Sequence, residues 1–192
     1  MTDKSELGIS PEEVREIFHQ YVRTDALTKH CLATEAIMRA LARRLGEDET
    51  LWGVTGLLHD LDFEETKEDP PSHALKTAQI LGEKGTNEII IQAIKSHNAE
   101  ALGIQRTHPL DFALTSAENI TGLIVATALV YPDKKLASVK ISSVIKRMKE
   151  KAFAKNVRRE AILECQRLGL TLEEFVEISL KAMQEMSRDL GL

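Results

Sequence analysis

The chain has 192 residues, with 25 Lys and Arg against 30 Asp and Glu, and six His, for a net charge of −5. Its length suits one domain or a core with a helical extension, and 43% apolar residues exclude wholesale disorder. Aromatics at 4%, five Pro and two Cys argue against an all-β fold, a disulfide framework and a zinc ribbon, and the acidic balance argues against a globally basic nucleic-acid binder.

The start, Met1-Thr2-Asp3-Lys4-Ser5-Glu6, is polar and lacks the apolar stretch of a signal peptide. No run approaches the roughly 20 apolar residues that span a bilayer, so a reducing, cytoplasmic setting without a membrane is expected. Ser10-Pro11-Glu12-Glu13 is a helix start, with Ser10 as cap, Pro11 in the first turn and Glu13 completing a capping box. That helix is expected to run to about Tyr21. A second starts near Asp25, carries Leu32, Ala36, Ile37, Ala40, Leu41 and Leu45 at helical spacing, and stops at Gly46. A third is expected from about Glu49 to Leu61. Gly53 and Gly56 lower its helix propensity and point to close packing against a neighbour. The acidic stretch from Asp62 to Pro71 reads as a loop.

Ser72 is expected to cap a fourth helix ending at Gly82, and Thr86 or Asn87 a fifth that reaches about His97. Asn98 to His108 reads as a loop. Pro109 opens a long helix, Leu110 to about Val130. Further helices are expected near 138–149, 152–168 and 171–190, the last entered through a Thr171/Glu174 capping box just after Gly169. The stripe of Phe175, Ser179, Ala182, Met183, Met186 and Leu190 reads as core.

Five of the six histidines fall where helices begin or end. From His30 the second helix descends about 22 Å to Leu45, and the third climbs back about 17 Å from Glu49 to Asp60. If the two run antiparallel, the doublet His59-Asp60 returns to the level of His30. The next pair repeats the arrangement, with His73 and His97 at its open end. Side by side, the two hairpins would gather His30, His59, Asp60, His73 and His97. Four imidazoles and a carboxylate suit one or two divalent transition ions such as Fe, Mn, Co, Ni or Zn. Adjacent helical positions differ by about 100°. His59 and Asp60 therefore share a centre only if the helix end unwinds or Asp60 bridges two metals. Asp62 either orients a ligand imidazole or caps a loop. Cys31 reads as a buried thiol, and His19 and His108 as structural.

The segments carrying these residues are Gly56-Leu57-Leu58-His59-Asp60-Leu61-Asp62, Ser72-His73-Ala74 and Lys95-Ser96-His97-Asn98. With His30 upstream and a carboxylate downstream, they resemble the HD-domain superfamily of metal-dependent phosphohydrolases. His73 and His97 resemble its two-metal subset. The family pattern ends on an Asp in an Ala-Asp-Glu-Leu-Thr-Gly-like helix, and the matching run here is Ala117-Glu118-Asn119-Ile120-Thr121-Gly122, with Glu118 in place of that Asp. The resemblance implies an all-α helical bundle over about 25–132 with a helical extension over about 133–192, together one domain. It implies the metal ligands His30, His59, Asp60, His73, His97 and Glu118, with Asp60 as the catalytic bridge. The implied activity is hydrolysis of a small phosphorylated molecule or nucleotide. Two rivals use the same ligand types: a di-iron oxygenase resembling inositol oxygenase, and a non-enzymatic metal-binding module.

The mild net charge hides an asymmetry. Between Lys134 and Glu160, ten Lys and Arg meet only Glu150 and Glu160, a local charge of +8 that leaves −13 on the rest. Such a segment is either a solvated face or a set of cations that close over the metal site and hold an anion. Lys146, Arg147 and Lys149 are the first candidates for substrate binding, with Lys67 from the loop after the doublet. Nucleic acid fits poorly, since few aromatics are available for stacking.

Overall fold

The computed structural model describes residues 6–192; the polar segment 1–5, read above as lacking a leader's apolar stretch, lies outside them. Among the described residues the fold is all-α, with no strand. Helix α1 (Pro11–Tyr21) has its capping box in place, Ser10 accepting from the Glu13 amide and Glu13 from the Ser10 amide. Helix α2 (Asp25–Leu45) ends at Gly46, whose φ of 76° only a glycine adopts cheaply. Helix α3 (Glu49–Leu58) completes the first hairpin and makes its most extensive contacts with α2. The two glycines explain the fit. A Cβ on Gly53 would lie 2.6 Å from the Arg39 guanidinium, and one on Gly56 would lie 2.9 Å from Met38 and 3.0 Å from the Thr34 carbonyl.

Helix α3 stops three residues earlier than expected, because the backbone leaves helical pairing at His59 and turns through Asp62. The segment read as an acidic loop holds a short helix α4 (Phe63–Thr66) and a 3-10 turn at Pro70–Ser72. Ser72 caps nothing, since its hydroxyl is taken by the Asp69 carboxylate. Helix α5 (Leu75–Glu83) is entered instead through Ala74, which holds a left-handed φ of 73°. Asn87, accepting from the Ile89 amide, caps helix α6 (Glu88–His97). A short helix α7 (Ala99–Leu102) breaks the following loop.

Helix α8 (Pro109–Leu129) is the axis of the bundle, packed against α2, α3 and α6 and against the C-terminal segments. By length and composition it is apolar enough to cross a membrane, which the sequence reading missed. Its most apolar window is nevertheless 72% buried inside the chain, as befits a core helix.

The extension departs most from expectation. Helix α9 covers only Ile141–Lys149, preceded by a 3-10 turn at Leu136–Ser138. The helix expected over 152–168 is a run of turns, then a short α10 (Arg159–Ile162) and a 3-10 segment, Leu163–Leu168. Arg159 is the physical reason. Its guanidinium donates to the carbonyls of Glu150, Phe153, Ala154 and Val157, satisfying backbone acceptors that a helix would have paired internally. Helix α11 (Leu172–Glu185) has the predicted Thr171/Glu174 capping box, and α12 (Ser187–Leu190) follows it after a break at Met186. Phe175, Ser179, Ala182, Met183 and Leu190 are buried in a core that also includes α2 and α8 residues, while Met186 is only half-buried.

Candidate metal centre

The ends of the two hairpins meet over α8, and the residues the sequence placed there converge. His30 lies in α2, His59 and Asp60 in the turn that ends α3, His73 ahead of α5, and His97 at the end of α6. Because α3 unwinds at the doublet, both His59 and Asp60 face the centre. Asp60 sits in the middle. One carboxylate oxygen, Oδ2, is 3.6 Å from His30 Nε2 and 3.4 Å from His59 Nε2. The other, Oδ1, is 3.2 Å from His73 Nε2 and 3.5 Å from His97 Nε2. Two three-residue clusters result, His30–His59–Asp60 and Asp60–His73–His97, each with its ligand atoms within 4.8 Å of one another.

Each imidazole is fixed through its far nitrogen. Nδ1 of His59 donates to the Gly56 carbonyl at 2.8 Å, and Nδ1 of His97 donates to the Ile94 carbonyl. Nδ1 of His73 donates to Asp62 Oδ1 at 2.8 Å. The Thr121 hydroxyl donates to the Glu118 carbonyl and so accepts from His30 Nδ1, 3.0 Å away. Asp62 thus orients the His73 imidazole, and it also accepts from the Thr77 amide at 3.0 Å. The hydrogen-bond network therefore assigns the proton of each neutral ring to Nδ1 and leaves the Nε2 lone pair facing the centre.

That donor set tests whether metal fits. The Nε2 atoms of His30 and His59 lie 3.2 Å apart, and those of His73 and His97 lie 2.9 Å apart. The lone pairs of the neutral His30 and His59 rings repel at that distance unless a cation lies between or beside them. Neutral imidazole nitrogens around an ionised carboxylate are the donors that borderline divalent ions take. The protonation states agree. Burial lowers the His59 pKa to about 3 and also lowers that of His30, so both are neutral at pH 7. Burial opposes ionisation of Asp60, but the surrounding histidines outweigh it and hold the carboxyl well below its ordinary range. His73 is the exception. Burial works against its charge, yet hydrogen bonds to Asp60 and Asp62 push its pKa up to about 10.

Ala74, buried and left-handed, follows His73 directly. A non-glycine residue in that conformation costs roughly 1–2 kcal/mol. The strain is stored in the turn that aims His73 at Asp60.

A cavity of about 800 Å³ opens above the cluster. Its lining includes Thr24, Ala26, Leu27, Phe63, Glu64 and Lys67. Lys67, proposed from the sequence to meet an anionic substrate, thus lines this cavity. Phe63 is 40% exposed, and its ring meets His73 edge-on at 5.8 Å. Glu118 also lines the cavity but belongs to neither three-residue cluster. Its carboxylate turns to the Asn119 amide and to Arg158, whose Nη2 is 3.4 Å away. Burial and the Asp60 charge push the Glu118 pKa up to about 8, with Arg158 pulling the other way.

The first candidates for substrate binding in the basic segment are not at this site. Lys146 and Arg147 line a separate depression of about 280 Å³ with Tyr131, Pro132 and Ser143. Arg147 is held there by Glu150 and by stacking over Phe153 at 4.4 Å, and Lys149 is an exposed last-turn residue of α9. The short α9 puts all three on the far side of the break at Glu150. The cation that does reach the cavity is Arg158, accompanied by Asn156. The charge count contained Arg158 but gave no reason to single it out. Thr121 was also present in the motif run, without a role.

A family model for the HD domain matches residues 27–128, and no solved structure matches the chain. The match spans His30, the His59-Asp60 doublet, His73, His97 and Glu118, and stops short of the basic segment. The chain belongs to the HD-domain family, whose members are mostly metal-dependent hydrolases.

Proposed function

We propose that this protein is a metal-dependent phosphohydrolase that acts on a small phosphorylated molecule or nucleotide. One observation carries the reading: the two oxygens of Asp60 face two separate imidazole pairs. That arrangement fits two divalent transition-metal ions, one held by His30 and His59 and one by His73 and His97, with Asp60 shared between them. Such ions, when bound, supply Lewis-acid chemistry, activating water for in-line attack and neutralising charge on the phosphoryl oxygens.

The chain's own residues do the rest. Asp60 carries the negative charge that balances the cations and sets the spacing of the two imidazole pairs. Thr121, Asp62 and the carbonyls of Gly56 and Ile94 lock each ring so that its Nε2 stays directed at the centre. The cavity admits a ligand of drug-like size. Its Ala26, Leu27 and Phe63 surfaces suit an apolar or ring-shaped leaving group, and Lys67 adds positive charge for an anionic substrate.

The experiment is phosphate release from a panel of phosphomonoesters and nucleotides by protein loaded in turn with each candidate metal. Turnover that chelator abolishes and metal restores is expected, with no oxygen consumed. Oxygen uptake by the iron-loaded protein without phosphate release would replace the reading with the oxygenase. Bound metal with no turnover of either kind would leave a metal-binding module.

A further inference from the structure

Arg158 is the anomaly of the site. It comes from outside the segment that defines the family, yet it lines the cavity beside the histidine cluster. The chain takes several steps to put it there. The Arg158 backbone amide donates to Asn119 Oδ1 at 3.3 Å, and Asn119 is itself anchored to the Thr115 carbonyl at 3.0 Å. Gly122, one turn along α8, lets the preceding Val157 approach, since a Cβ there would sit 3.3 Å from it. Nη1 donates to Glu100 Oε2 at 2.9 Å, and Nη2 donates to the His97 carbonyl at 3.2 Å. These bonds fix the outer edge of the guanidinium. Nη2 also reaches the Glu118 carboxylate, at 3.4 Å, a long contact for an ion pair.

A planar guanidinium held by one edge beside a metal cluster, with a loosely paired face, is suited to receive an oxyanion. We propose that Arg158 is the phosphate-binding residue of this site, and that Glu118 positions it and occupies its free face until substrate arrives. The inference rests on the phosphohydrolase reading and narrows it: the substrate is an anionic phosphate ester whose phosphoryl group lies between Arg158 and the imidazoles. Lys67, which also lines the cavity, then meets the rest of the substrate. The substitution of Glu for the family's Asp acquires a purpose. The longer arm takes the carboxylate out of both histidine clusters and delivers it to Arg158.

The probe is inorganic phosphate, titrated into the metal-loaded full chain, with metal content and melting temperature recorded for each variant. Arg158→Ala is expected to weaken phosphate binding about 10- to 100-fold, the usual worth of a charge-assisted hydrogen bond, at unchanged metal content. Arg158→Lys is expected to recover part of that loss, because charge is kept while the two-pronged geometry is not. Glu118→Gln is expected to tighten phosphate binding, since it removes the competitor for the same face. Wild-type protein that binds no inorganic phosphate, or Arg158→Ala protein that binds it as wild type does, would overturn the proposal. So would an Arg158→Ala variant that loses metal along with phosphate, which makes Arg158 a tie in the scaffold, or a Glu118→Gln variant that loses metal, which makes Glu118 a ligand. Should Arg158→Ala not fold, Arg158→Lys decides, by weakening phosphate at an unchanged melting temperature or failing to. The two readings fail separately. Phosphate binding that depends on Arg158 without any ester hydrolysis removes the hydrolase and keeps the anion site. Hydrolysis with kcat/KM unaffected by Arg158→Ala does the reverse.

Discussion

The helices that carry the imidazoles and the basic segment after them treat charge in opposite ways. In the first region Asp60 and Asp62 are almost fully buried, and each meets specific partners: four imidazole Nε2 atoms around Asp60, and His73, Thr66 and the Thr77 amide around Asp62. In the second, Lys146 keeps 75% of its side chain exposed and lies 4.0 Å from Glu150. Arg147 and Arg159 spend their donors on the local backbone and on Glu150. Buried charges are affordable only when paired, so the first region has essentially one arrangement. Solvated charges cost little in many positions, so a count of +8 says little about where any one cation points. Among the described cations of the second region, Arg158 is the one that lines the cavity of the first.

The largest effect that would break this contrast is at Asp60. Asp60→Asn keeps the volume but removes the charge shared by all four imidazoles, and it is expected to abolish metal retention and hydrolysis together, measured by elemental analysis and phosphate release. A variant that keeps both would show that the imidazoles suffice. Next come the groups behind the ligands. Thr121→Val removes the acceptor for His30 Nδ1, and Asp62→Asn weakens the one for His73. Each is expected to lower metal affinity about 10- to 100-fold, read by competition with a chelating dye. Affinity within twofold of wild type would mean that packing alone orients the rings.

A smaller effect is expected where the first hairpin closes. Gly56→Ala gains about 1 kcal/mol of helix propensity but drives a Cβ against Met38 and the Thr34 carbonyl. A net loss of about 1–3 kcal/mol is expected from the denaturant midpoint, as for other overpacked sites. A gain would show that α2 and α3 have room to part. The smallest effect is expected from the double variant Lys146→Ala, Lys149→Ala. Stability should shift by less than about 0.5 kcal/mol, as for ordinary surface positions, and kcat/KM should be unchanged. A large fall in kcat/KM would return these lysines to the site.

The same contrast explains what the sequence made legible. Helices α1, α2 and α11 announce their own ends through Ser10 and Glu13, Gly46, and Thr171 and Glu174, because capping and left-handed stops are local chemistry. The histidine cluster was legible because two hairpins of matched rise must bring their open ends together. Three features were not. The entry to α5 depends on a strained Ala74, which no propensity favours. The break between α9 and α10 depends on Arg159 capturing carbonyls several residues away, a tertiary event that overrides a helical pattern. The role of Arg158 depends on its contacts with Asn119, Glu100 and Glu118, which lie about 40 to 60 residues away along the chain.

The central claim is that the Asp60 carboxylate is shared between two metal positions. The most direct measurement is the metal stoichiometry of the wild-type chain after titration with a divalent transition metal, followed by separate removal of His30 and His73. Two ions per chain are expected for the wild type, with His30→Ala and His73→Ala each losing one position and weakening the other. A wild-type chain that takes up no divalent metal, or a single ion lost equally with either histidine, would contradict it.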